Sequence, residues 1–147
     1  MMSQTTPSPK IREFAQRLVA YEAVGDNPSG ANTSAGFRVA EKLRRSVSTL
    51  AGSSGFRSLL ARALTLAKAK VPRLSAVHVK PDGSLEVLRE LGNQDQAAEA
   101  GVILIAQLLG LLVTFIGESL MLSLVLDAWP DFSVINTLEK NDHDPTR

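Results

Sequence analysis

Apolar residues recur at three- and four-residue steps along most of this chain, which is the signature of helices burying one face. Ile11, Phe14, Ala15, Leu18 and Tyr21 define the first stripe. Ser8 is placed to cap that helix, and Pro9 suits its first position, where a missing N–H is no loss. Residues 25–35, rich in Asn, Ser, Gly and Pro, read as a loop. Phe37, Ala40, Leu43, Val47 and Leu50 make a second stripe, predicting a helix from Phe37 to Ala51. Arg38, Lys42 and Arg45 project from its opposite side. Gly52-Ser53-Ser54-Gly55 then reads as a break, with Ser54 capping a third helix. That helix turns Phe56, Leu59, Leu60, Ala63, Leu64 and Ala67 inward and Arg57, Ala61 and Lys68 outward, and Pro72 ends it.

From Leu74 the period shortens to two. Ala76–Val79 and Ser84–Val87 alternate around Lys80-Pro81-Asp82-Gly83, predicting a small β-hairpin that must lean on the helices for stability. A last helix is expected from about Gln94 to Trp129, closed by Pro130. Phe132, Val134, Ile135 and Leu138 offer apolar side chains for docking beyond it. The pattern as a whole predicts a mainly α fold, a small helical bundle around one long apolar C-terminal helix with a minor hairpin near residues 76–88. Residues 1–8 form a tail without signal-peptide character, 9–138 a single helical domain, and 139–147 a frayed acidic tail. No internal repeat is expected.

The run Val102–Leu126 holds 25 residues, 17 of them Leu, Ile, Val, Phe or Met, with Glu118 as its single charge. It is long enough to cross a bilayer, at about 1.5 Å per residue. Its flanks oppose insertion: Asp95 and Glu99 precede it, Asp127 and Asp131 follow, and no Lys or Arg sets an orientation. Gln107, Thr114 and Glu118 fall within about 40° of one another on a helix, with Gly110 and Gly117 alongside. That seam of polar and small residues admits a close neighbour, so a bundle core is favoured over a membrane span. Glu118 is expected at the rim of the core, paired with an Arg.

The net charge of +1 conceals a division. Residues 36–80 carry ten basic side chains against Glu41 alone, while 81–147 carry three against eleven acids. The two regions are expected to satisfy one another. Cysteine is absent and the two His, His78 and His143, are far apart. Thiolate chemistry, a disulfide scaffold and an imidazole-based site are thereby set aside. No Gly-x-Ser-x-Gly, phosphate-binding or dinucleotide fingerprint occurs. The Gly52–Gly55 motif has the spacing of a KH-type GXXG clamp, but a helix stands where that module needs a strand. It reads as a plain connection between helices. No catalytic residue, cofactor or metal ligand is expected.

The segments EKLRRSVSTLAGSSGFRSLLARAL, VKPDGSLEVL and LLGLLVTFIGESL followed by AWPD are similar to those of a family of small bacterial helical proteins. The resemblance covers residues 37–131. It implies a bacterial source and one continuous unit, and brings no activity with it.

The expected function is that of a non-enzymatic interaction or regulatory module, cytoplasmic, which self-associates or binds a protein partner. The interaction candidates are Arg38, Lys42, Arg45, Arg57, Lys68, Gln107, Gly110, Thr114, Gly117 and Glu118. A small protein of the cytoplasmic membrane, with Val102–Leu126 in lipid and residues 36–80 on anionic headgroups, is the alternative. Nucleic-acid binding by the second and third helices comes third.

Overall fold

The computed structural model describes residues 9–25, 35–87 and 94–130. The expected Ser8 cap, the loop after Gly25, the docking of Phe132 to Leu138 and the site of His143 lie outside these residues. Helix α1 spans Pro9–Gly25. Ile11, Phe14, Ala15, Leu18 and Val19 are buried, as a helical stripe requires. Tyr21, expected on that stripe, is instead exposed, and Glu22 takes the buried place. The angular reason is simple. Glu22 continues the four-residue row of Phe14 and Leu18, whereas Tyr21 is rotated away from it.

Helix α2 spans Ala35–Lys70 and bends sharply at one residue, Gly52, whose φ of 83° and ψ of 160° lie in a region open essentially to glycine alone. The helix resumes at once, so Ser54 lies inside a turn and caps nothing. The expected four-residue break is a one-residue elbow. The inward stripe of 53–70 is buried as expected, but Leu50 beside the elbow is 50% exposed. After the Val71 N–H closes the helix on the Ala67 carbonyl, a 3-10 turn, Pro72–Ala76, leads into the sheet.

Strands β1, Val77–Val79, and β2, Leu85–Val87, pair antiparallel with His78 opposite Glu86. The turn rests on α2, since Gly83 lies against Arg44 and Phe56 and the Pro81 carbonyl accepts a hydrogen bond from Arg57 Nη1 at 3.0 Å. Asp82 accepts from the Ser84 amide and hydroxyl.

Helix α3, Gln94–Ile116, forms the centre. Its residues Ile103–Leu109 are buried without interruption, so α1, α2 and the following helix enclose it on every side. Each fully buried Leu, Ile or Phe there contributes about 1.5–3 kcal/mol. The helix does not continue to Trp129, as the sequence suggested. Gly117 breaks it with φ 90° and ψ 159°, and α4 follows as Glu118–Ala128. A straight helix would place Trp129 about 42 Å from Gly101. Gly101 lies so close to Gly36 that a Cβ on Gly36 would stand 2.6 Å from its Cα. Trp129 nevertheless reaches Lys42, less than two turns along α2 from Gly36. Helix α4 therefore folds back along the bundle.

The two bent helices repeat one plan, against the expectation of no internal repeat. Residues 35–64 and 100–129, 65 positions apart, agree at nine of thirty places, including Ala35/Ala100, Gly36/Gly101, Thr49/Thr114 and Gly52/Gly117. Val39/Leu104, Ala40/Ile105, Val47/Leu112, Phe56/Met121, Leu60/Val125 and Leu64/Trp129 are buried in both. The elbows share their torsions, and the threonine ahead of each bonds back one turn. Thr49 Oγ1 donates to the Arg45 carbonyl at 3.0 Å and Thr114 Oγ1 to that of Gly110 at 3.1 Å. Gly36 meeting Gly101 is equivalent meeting equivalent, as across a two-fold axis. Arg45 and Arg57, both exposed, stand where the second unit has Gly110 and Leu122, and half-buried Arg44 stands where it has the buried Leu109, so the likeness is obscured at these places.

Candidate interaction site

Glu22, only 3% exposed, is the acid that organises this molecule. Its Oε1 accepts from Lys42 Nζ at 2.9 Å and from the Trp129 indole Nε1 at 3.0 Å. Its Oε2 faces Arg38 Nε at 3.6 Å. The Lys42 ammonium also lies 5.8 Å from the centre of the Trp129 ring, within the range of a cation–π attraction. One carboxylate thus ties α1 to α2 and to the end of α4. The helix spacing explains the cations: Arg38 and Lys42, four residues apart, lie one above the other on α2. Two donors on Oε1 and the nearby Arg38 charge offset the cost of burying this carboxylate, although Oε2 itself accepts no hydrogen bond among the described residues.

The expected basic face of Arg38, Lys42 and Arg45 is consequently divided. Arg38 and Lys42 turn to Glu22, while Arg45 remains exposed. Arg57 is exposed and fastened to the hairpin turn, and Lys68 lies half-buried in the last turn of α2. Arg44 pairs with Glu41, one turn away, which raises its pKa above the ordinary value. Among the described residues, Arg38 and Lys42 pair with Glu22 and Arg44 with Glu41, while Asp82 adds a weaker attraction on Arg44.

The seam expected on the apolar helix is divided as well. Gln107 is buried in the core, 3% exposed, and its Nε2 lacks a hydrogen-bond partner among the described residues. Gly110 is half-buried and Thr114 exposed. Gly117 forms the elbow instead of admitting a neighbouring helix; that close approach belongs to Gly36 and Gly101. Glu118 is half-buried in the first turn of α4, where the free N–H groups favour a carboxylate, and has no ion-pair partner among the described residues. The elbow changes its setting from core rim to helix start.

Among the described residues, the most exposed large apolar side chain stands beside the elbow. Phe115 is 73% exposed and Leu120 39%. Helix α4 buries Met121 and Val125 and leaves Leu122, Leu124 and Leu126 half-covered. By length and composition alone, Gln96–Ile116 can cross a membrane, and more than half of its most apolar stretch is buried within the fold. Among the described residues no group of three His, Asp or Glu is placed to hold a metal ion.

Glu22, Trp129 and Phe115 were not singled out from sequence. An acid on the row of Phe14 and Leu18 was the available signal for Glu22. Compared with family models, curated proteins and solved structures, the chain matches none.

Proposed function

We propose that this chain is a non-enzymatic helical interaction module that self-associates through the apolar surface at the α3–α4 elbow. The observation that carries the reading is Phe115, a large aromatic 73% exposed beside Leu120 and the half-covered leucines of α4. Large apolar side chains exposed near one another along the chain suit a site of association. A cytoplasmic location belongs with this reading. Sedimentation equilibrium from low to high micromolar concentration tests it. Association is expected in the native chain and should weaken in Phe115→Ser/Leu120→Ser. A native chain that stays monomeric throughout would refute self-association.

A second reading, membrane association, is favoured by Gln96–Ile116. Quantitative recovery in the soluble fraction without detergent would dismiss it.

A further inference from the structure

We propose that α4 is an exchangeable element, and that two copies of this chain pair by each closing its α4 on the other. This rests on the self-association reading and specifies how it occurs. The hinge is a single residue. Gly117 is exposed, and no atom lies within 4 Å of where its Cβ would be. Its own N–H already bonds the Val113 carbonyl at 2.9 Å, and its carbonyl already accepts from the Met121 N–H at 3.1 Å. Rotation of Gly117 into helical torsions therefore keeps both bonds. It also lets the amides of Glu118, Ser119 and Leu120 reach carbonyls one turn back, which the elbow prevents. Helices α3 and α4 then become one helix.

The surface that α4 occupies is built by other elements, so it receives a second copy's α4 as well as its own. The inserted stripe is Met121, Val125 and Trp129, at four-residue steps, ending on the Glu22 carboxylate. Complementarity needs no new design, because the closed contact already exists within one chain. Phe115 and Leu120, the large exposed apolar residues of this region, flank the hinge. In an exchanged pair the two hinges meet, and these side chains gain the cover they lack.

The equivalent elbow at Gly52 has no such freedom. The second half of α2 leads into a hairpin whose turn lies back against Arg44, ahead of that elbow. Helix α4 is the last element of the described core, so no other described element follows it along the chain. A one-residue hinge whose straightening adds helical hydrogen bonds is a circumstance in which exchange is favoured.

Energy transfer between chains tests this directly. The chain has one Trp and no Cys, so donor and acceptor are placed without background. Native chain is mixed with Trp129→Phe/Tyr21→Cys chain carrying a naphthalene-sulfonate label at residue 21, next to Glu22. Exchange brings the native Trp129 into the labelled chain's socket, and strong quenching of its emission is expected. Gly117→Ala, which disfavours the elbow, should tighten dimerisation about tenfold or more. Insertion of Gly-Ser-Gly after Gly117 relaxes the hinge and should weaken it comparably. Dimers without energy transfer, unaffected by the insertion, would leave self-association standing and overturn exchange. A chain monomeric in every form overturns both. Partition of Gly117→Ala into lipid vesicles in place of dimerisation would show the straightened helix to be a membrane element and also overturn exchange.

Discussion

Glu22→Gln preserves the shape of the side chain and removes the charge that holds Arg38, Lys42 and Trp129 together. Removing one partner of a fully buried pair costs about 3–5 kcal/mol, because the other charge stays behind. Exposed pairs are worth about 0.2–1 kcal/mol. Here the carboxylate is buried, but the side chains of Arg38 and Lys42 are 26% and 45% exposed and keep part of their hydration. An intermediate loss of about 2 kcal/mol follows, a fall of about 4–8 °C in Tm for a domain of this size. Trp129 is the only Trp, so its emission reports the same site during denaturant unfolding. Its maximum should shift to the red in Glu22→Gln even under native conditions. The double variant with Lys42→Met should recover part of the loss, because the two residues interact directly. A Glu22→Gln chain with an unchanged unfolding midpoint and unchanged Trp129 emission would refute the role assigned to this carboxylate.

Three further outcomes are expected. Gly36→Ala drives a Cβ to 2.6 Å from the Gly101 backbone, and thermal unfolding should register a loss of about 1–3 kcal/mol or more; an unshifted melt would mean that α2 and α3 separate freely at that point. Gln107→Met removes an amide donor that has no partner among the described residues and should stabilise the fold by about 1–2 kcal/mol in urea titration, whereas a loss would reveal a partner for that donor. Asp82 is held below its ordinary pKa of 3.8, first by the Ser84 hydroxyl and then by the Ser84 amide. Its contribution is therefore complete above 3.8 and disappears as the pH falls through the lowered folded value. Amide protection relative to the intrinsic exchange rate should fall at Gly83–Leu85 in strong acid while that of Leu104–Leu109 does not, and unchanged protection across the acid range would exclude this turn bond as a stabilising contact.

The helical stripes and the hairpin were legible because their determinants are local. Phe56, Leu59, Leu60, Ala63, Leu64 and Ala67 carry the period of a helix in their own spacing, and Lys80–Gly83 carries its turn. The elbows were read in opposite ways for one reason. Gly52 has Ser and Gly neighbours and looked like a loop, while Gly117 has apolar neighbours and looked like helix interior. Both are the same one-residue bend, imposed by how the flanking helices pack and not by neighbouring composition. The Glu22 site was hidden by distance along the chain. Its partners stand 20 and 107 residues away, and an acid on an apolar row has no visible partner until those helices meet. Phe115 lies two turns beyond Leu108 on nearly the same face of α3, so nothing in the local pattern distinguishes its exposed position from the enclosed one of Leu108; the difference is set by how far along α3 the neighbouring helices reach.

The meeting of Gly36 with Gly101 also constrains how this sequence can diverge. The two residues belong to equivalent places in two units that differ at twenty-one of thirty positions, and this seam is one of the places where they agree. A side chain on Gly36 strikes the Gly101 backbone, which no replacement of a side chain opposite can relieve. The remedy would have to be a parting of the helices themselves, felt at every buried pair along them. Variation at 36 and 101 should therefore be confined to the smallest residues in both, and should be correlated between them, while Arg45 and its counterpart Gly110 drift independently.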